Sequence, residues 1–207
     1  MKAFRQLLTC VAVLTLSVIC GAKGYDSVLS KDQSSKFIDQ MSKAYGYFLK
    51  NDRMPETIKV NGVTFDSGMM LSASYSLVQK MMAEPKAWKH SDIRYSASYP
   101  CPDNERNNTL DIDEISLTEF MRLAGNAHIY AERNNKFPNY CTVNADHRDP
   151  DGSVYPTQMI INAISVGFAR IFHHYKQHGT LPEKVRTWHS GFLRSTNNSP
   201  KEHSLVK

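Results

Sequence analysis

The chain has little of what marks a metal or thiol enzyme. It contains no CxxC pair and no HExxH, so neither a paired-thiol centre nor a helical zinc-peptidase motif is written in it. Cysteine is scarce, with four in 207 residues. No long Lys or Arg run accompanies the formal net charge of +5, which makes nucleic acid a poor partner. Beyond residue 22 no stretch reaches the ~20 apolar residues that a membrane-spanning helix needs.

What is present begins with an export pattern. Met1–Arg5 is a short basic head, and Leu7–Ile19 is apolar apart from Thr9, Thr15 and Ser17. Small residues follow at Cys20-Gly21-Ala22, where a signal peptidase inspects the chain. We expect residues 1–22 to be a cleaved signal peptide and the mature protein to be secreted, periplasmic or held at the cell surface. An uncleaved anchor would need a longer apolar run. Lipid attachment at Cys20 is the alternative, and Ile19 is a large residue where that chemistry prefers a small one. Cleavage lowers the formal charge from +5 to +3, because only Lys2 and Arg5 leave, and 185 residues remain. That length suits one domain or a few small modules.

Maturation also halves the cysteines, leaving Cys101 and Cys141. In an oxidising compartment the simplest reading of two cysteines is a Cys101–Cys141 disulfide. A cysteine nucleophile or a metal site is the competing reading, and neither has local support in the sequence.

Three segments share a signature: Tyr47 to Pro55, Tyr130 to Pro138, and the slightly tighter Tyr175 to Pro182. Each holds an aromatic residue, a polar turn, a large apolar residue (Met54, Phe137, Leu181) and proline. Upstream of each, apolar residues recur at helical spacing. They are Phe37, Met41, Ala44 and Phe48; then Phe120, Leu123, Ala124, Ala127 and Tyr130; then Ile164, Phe168, Ile171, Phe172 and Tyr175. Asn-Asp, Asn-Asn and His-Gly close the three helices with residues that tolerate a left-handed cap, and proline stops each helix from resuming. Short extended stretches follow at Thr57–Val63 and Tyr140–Asn144, the first containing the tight-turn pair Asn61-Gly62. New helices are expected behind Asp66-Ser67 and behind Pro156-Thr157-Gln158. The closing helix of one unit can run into the opening helix of the next.

Pro55–Gly62 and Pro138–Val143, each behind a Tyr-bearing helix and before a capped apolar one, resemble the pseudomurein-binding repeat. Pro182-Glu183-Lys184-Val185 is similar and truncated. The resemblance covers most of residues 36–84 and 113–188. It implies tandem wall-attachment modules of an exported surface protein, with no catalytic residue and no cofactor. Cys141 departs from the pattern by standing where an apolar residue is expected, and residues 144–152 stretch the second turn.

The expected fold is mainly α with short β segments: tandem helix-turn-strand-helix repeats with a disulfide-tethered insertion. The boundaries are repeat unit 1 at 36–84, an insertion at 85–112, unit 2 at 113–163, a truncated unit 3 at 164–190 and a polar, disordered tail at 191–207. Candidate ligand-contacting rings are Trp88, Tyr95, Tyr99, Tyr140 and Trp188, which lie outside the helical apolar pattern and could stack on sugar faces or else cover the junctions between units.

Other clusters read more simply. Asp146, Asp149 and Asp151-Gly152 fail the calcium-loop spacing and fit a solvated turn. His173, His174 and His178 have no third-ligand motif beside them and fit a solvent-facing helix surface. Cys141, His147 and Asp149 supply the residue types of a hydrolase with no room for its domain. Asn107-Asn108-Thr109 and Asn197-Asn198-Ser199 are glycosylation acceptors in a eukaryotic source. The function expected is non-catalytic binding of a cell-envelope or wall polymer, a glycan or glycopeptide. The alternatives are protein–protein contact through helical repeats and a Cys/His hydrolase.

Overall fold

The computed structural model describes residues 27–95, 99–101, 114–148 and 154–186. The expected signal peptide, the tail and Trp188 lie outside the described residues. The fold is mainly helical, with short strands in small sheets.

The chain runs β1 (Ser27–Leu29), α1 (Lys31–Asn51), β2 (Thr57–Val60), β3 (Val63–Asp66), α2 (Ser67–Ala83), a 3-10 turn (Trp88–His90) and β4 (Ile93–Tyr95). It continues with β5 (Glu114–Ser116), α3 (Leu117–Asn134), β6 (Tyr140–Arg148), β7 (Val154–Ile160), α4 (Ile161–His178) and β8 (Lys184–Arg186). Among the described residues the strands form four antiparallel pairs, β1–β4, β2–β3, β5–β8 and β6–β7. In 27–95 and again in 114–186, the outer strands pair with each other and the inner two make a hairpin.

Local chemistry sets the boundaries. Ser30 opens α1 with a capping box to Gln33, Asp66 Oδ1 accepts the Met69 N–H at 2.8 Å to open α2, and Ser116 Oγ accepts from Glu119 N at 3.1 Å to open α3. The expected left-handed stops are present: φ is 55° at Asp52, 58° at Asn135 and 73° at Gly179. The Asp52 and Gly179 N–H groups close their helices onto Phe48 and Tyr175 carbonyls at 2.8 Å. Asn61 (φ 49°) and Gly62 (φ 84°) make the tight turn of the β2–β3 hairpin, where both central residues need positive φ.

The core interleaves helices from the two halves. Phe37 of α1 meets Phe172 of α4 edge-on at 5.9 Å and Phe65 of β3 at 5.3 Å. Phe120 of α3 meets Phe168 of α4 edge-on at 5.0 Å, over Gly167, where any Cβ would collide with the Phe120 ring. The apolar positions read from periodicity are buried in all three helices, with two departures: Tyr130 is exposed and Tyr175 only partly buried.

Several expectations are corrected. The Cys101–Cys141 disulfide is not formed. Cys141 is held inward on β6 opposite Met159, whereas Cys101 borders a recess with Met54, Met70 and Ile161. Residues 85–95 and 99–101 are not peripheral, as an insertion would be. Trp88 enters the core, β4 completes the sheet begun by β1, and the Tyr99 carbonyl sits where a side chain on Gly68 would go. Pro100 O also accepts the Phe137 N–H at 3.0 Å, tying this stretch to the end of α3. Of the expected third unit at 164–190, the described residues 164–186 do not form a separate unit. Ile161–His178 is one helix, and β8 after it returns to pair with β5. Finally, Pro156–Gln158 is not a helix start but part of β7, and α4 begins at Ile161.

Candidate functional site

The rings expected to meet a ligand are mostly committed elsewhere. Trp88, Tyr95 and Tyr99 are 2%, 2% and 3% exposed, so no sugar can stack on them. Trp88 lies edge-on to Tyr175 at 5.7 Å, Tyr95 stacks on Phe65 at 5.9 Å, and Tyr99 stands edge-on to Phe137 at 5.9 Å. They fall outside the helical periodicity because they sit on the segment that closes the first half, and that segment is itself buried. Tyr140, at the start of β6, is partly buried against the core. The structure instead exposes Tyr47 and Tyr130, at 37% and 40%. These occupy matching places near the ends of α1 and α3, and each carbonyl receives an amide N–H four residues on, from Asn51 (2.7 Å) and Asn134 (2.8 Å).

The histidines separate into different roles. His173 is half-buried, with Nδ1 3.0 Å from Ser42 Oγ and Nε2 3.0 Å from Gln177 Nε2, and its ring lies against Tyr45. His174 and His178 face each other at 4.4 Å between ring centroids. Among the described residues no group of three or more His, Cys, Asp or Glu is placed to hold a metal ion. His128, which the sequence reading passed over, is 4% exposed and stacks on Tyr75 at 5.1 Å. Neither ring nitrogen has a hydrogen-bond partner, and burial depresses its basicity.

Cys141 is a poor nucleophile here. Burial pushes its thiol up to about 11, only partly offset by the positive charge of Arg122, so almost no thiolate exists near neutral pH. The side chains of His147 and Asp149, and the Asp146–Asp151 cluster, lie outside the described residues.

A polar cleft of about 710 Å³ lies between the C-terminal half of α4 and the β5–β8 sheet. Arg170 and His174 of α4, Glu114 of β5 and Glu183, Lys184 and Arg186 at β8 line it. Sheet pairing sets Glu114 opposite Arg186, and Arg186 Nε donates to Glu114 Oε1 at 3.2 Å. The Arg170 guanidinium lies over the Tyr45 ring at 5.6 Å. Burial and the neighbouring Arg186 charge both hold its pKa below the usual arginine range. Sequence reasoning missed this site. The available signal was Arg170 as the one charged residue in the largely apolar run Ile161–Phe172.

The chain matches no protein-family model, and no curated protein is significantly similar to it. No described helix is long and apolar enough to cross a membrane.

Proposed function

We propose that this is an exported, non-catalytic protein that binds a polymer of the cell envelope or wall, a glycan or glycopeptide, through a duplicated module of the pseudomurein-binding repeat kind. The observation that carries the reading is the recurrence of one plan. In both halves a helix ends in a left-handed Asp or Asn, a proline follows, and a hairpin leads to a second helix whose trailing strand returns to the first. An exposed tyrosine stands at the same point of both plans, Tyr47 and Tyr130. A phenol ring offers an apolar face for a sugar and a hydroxyl for its polar edge. Residues 1–22 supply the route out of the cell, and a wall-binding module has work only there.

The test is retention of the mature chain on isolated wall polymers. Specific retention, lowered by the double variant Tyr47→Ala/Tyr130→Ala without loss of fold, is the expected result. A folded protein retained by none of the polymers would sink the proposal.

A further inference from the structure

Among the described residues Arg170 is an unusually placed charge, half-buried and set over an aromatic ring. A guanidinium carries five N–H donors in a rigid fork and never sheds its charge in a protein. Taking it partly out of water is costly unless acceptors replace the lost hydration. This one is half-buried, lies over the Tyr45 ring at 5.6 Å, and among the described residues has no hydrogen-bonded acceptor and no ion pair. The Tyr45 ring face offsets part of the cost and supplies no acceptor to the donors at the guanidinium edge.

The surroundings add positive charge. Lys184 and Arg186 line the same cleft, and of the two lining carboxylates Glu114 is already engaged by Arg186. His174 is held neutral near pH 7, because burial and the adjacent His178 and His173 all lower its pKa. Among the described lining residues three permanent cations stand against two acids, an excess of +1. That balance suits a monoanion. A dianion would face Glu114 and Glu183 without enough compensating charge.

We infer that this cleft is a receptor site for a carboxylate carried on a glycan or on a peptide attached to one, gripped edge-on by the Arg170 fork. The inference rests on the polymer-binding reading for the source of the carboxylate and deepens it. Planar, two-point recognition of a carboxylate is what a guanidinium does better than an ammonium. Lys184 and Arg186 then attract the anion, while Arg170 fixes its orientation.

The experiment is a side-chain NMR titration following the Arg Nε–Hε resonances of the mature protein. The probes are trigalacturonate, the neutral maltotriose, and a short polyglycerol phosphate that carries phosphodiesters. Trigalacturonate should shift the Arg170 resonance saturably, and maltotriose should not. Arg170→Gln should weaken binding by about tenfold or more, in line with loss of a charge-assisted hydrogen bond. Arg170→Lys keeps the charge without the fork and should also weaken it. Lys176→Gln removes a cation of the same helix that is paired with Asp39, outside the cleft lining, and should leave binding unchanged.

No saturable shift at Arg170, equal affinity in a folded Arg170→Lys protein, or response to the phosphodiester alone would each overturn the assignment. Failure here is separable from failure of polymer binding. If wall polymer retains wild type and Arg170→Gln equally, the site is wrong and the function stands. If trigalacturonate binds at Arg170 but no wall polymer retains the protein, the site stands and the function is wrong.

Discussion

Replacing Trp88 by alanine separates a core role from a binding role, because the two predict opposite responses. The indole is 2% exposed and packs edge-on against Tyr175 at 5.7 Å. An aromatic side chain of this size buries roughly 150–250 Å², which at about 25 cal/mol per Å² is worth ~4–6 kcal/mol. The edge-on contact adds ~0.5–1.5 kcal/mol. Partial collapse of the site and the hydrophobicity the alanine retains reduce the loss, and buried Trp→Ala changes cost about 3–5 kcal/mol. With a urea dependence of roughly 2 kcal/mol per M, the midpoint should fall by about 1.5–2.5 M. Far-UV circular dichroism is the right signal, since the substitution removes one of only two tryptophans. If Trp88→Ala leaves too little stability to measure, Trp88→Phe should give a smaller fall in the same direction. An unchanged midpoint together with lost polymer binding would refute the burial and restore Trp88 as a ligand platform.

Three further outcomes follow from particular contacts. Gly68→Ala should destabilise the protein by at least 1–3 kcal/mol in chemical denaturation, the usual cost of overpacking, because the new methyl collides with the Tyr99 backbone carbonyl; wild-type stability would show that residues 99–101 do not lie on the start of α2. Stability should fall as pH drops below about 6.5, the ordinary histidine value. Burial lowers the native pKa of His128, so the unfolded chain takes up its proton first, and the loss continues until the native imidazole also titrates. Glu132 Oε1, 3.7 Å from Nε2, opposes the effect without reversing it. His128→Leu should flatten denaturation midpoints between pH 7 and 5 relative to wild type, and identical slopes would contradict the burial argument. Thiol titration of the denatured mature chain should find two free thiols, and in the native protein Cys141 should react slowly because it is buried and its pKa is pushed up to about 11. One disulfide and no thiol would reinstate the cross-link.

Much of the local structure was legible because it depends on short-range chemistry. The helix stops at Asp52, Asn135 and Gly179, the Asp66 cap and the Asn61-Gly62 turn all follow from residues that act on their own backbone. Buried Phe37, Phe120 and Phe168 follow from period alone. Pairings between distant strands were not legible. Ile93–Tyr95 and Lys184–Arg186 are three residues long, too short for alternation to register, and their partners lie more than sixty residues away. Missing β4 turned residues 85–112 into an insertion, and from that error Trp88, Tyr95 and Tyr99 became surface rings. The cysteine argument failed for a related reason: count and compartment permit a bond, but only the fold says whether two side chains face each other. The cleft was hidden because its cationic residues come from α4 and β8 and gain meaning only when β8 folds back onto β5.

The polymer-binding reading is tested most directly by retention of the mature protein on purified, insoluble wall polymer, measured against salt and against the Tyr47→Ala/Tyr130→Ala variant. Saturable retention that weakens when both tyrosines are removed, with the circular dichroism spectrum unchanged, is the expected result. A well-folded wild-type protein that remains wholly in the supernatant of every wall polymer tried would contradict it.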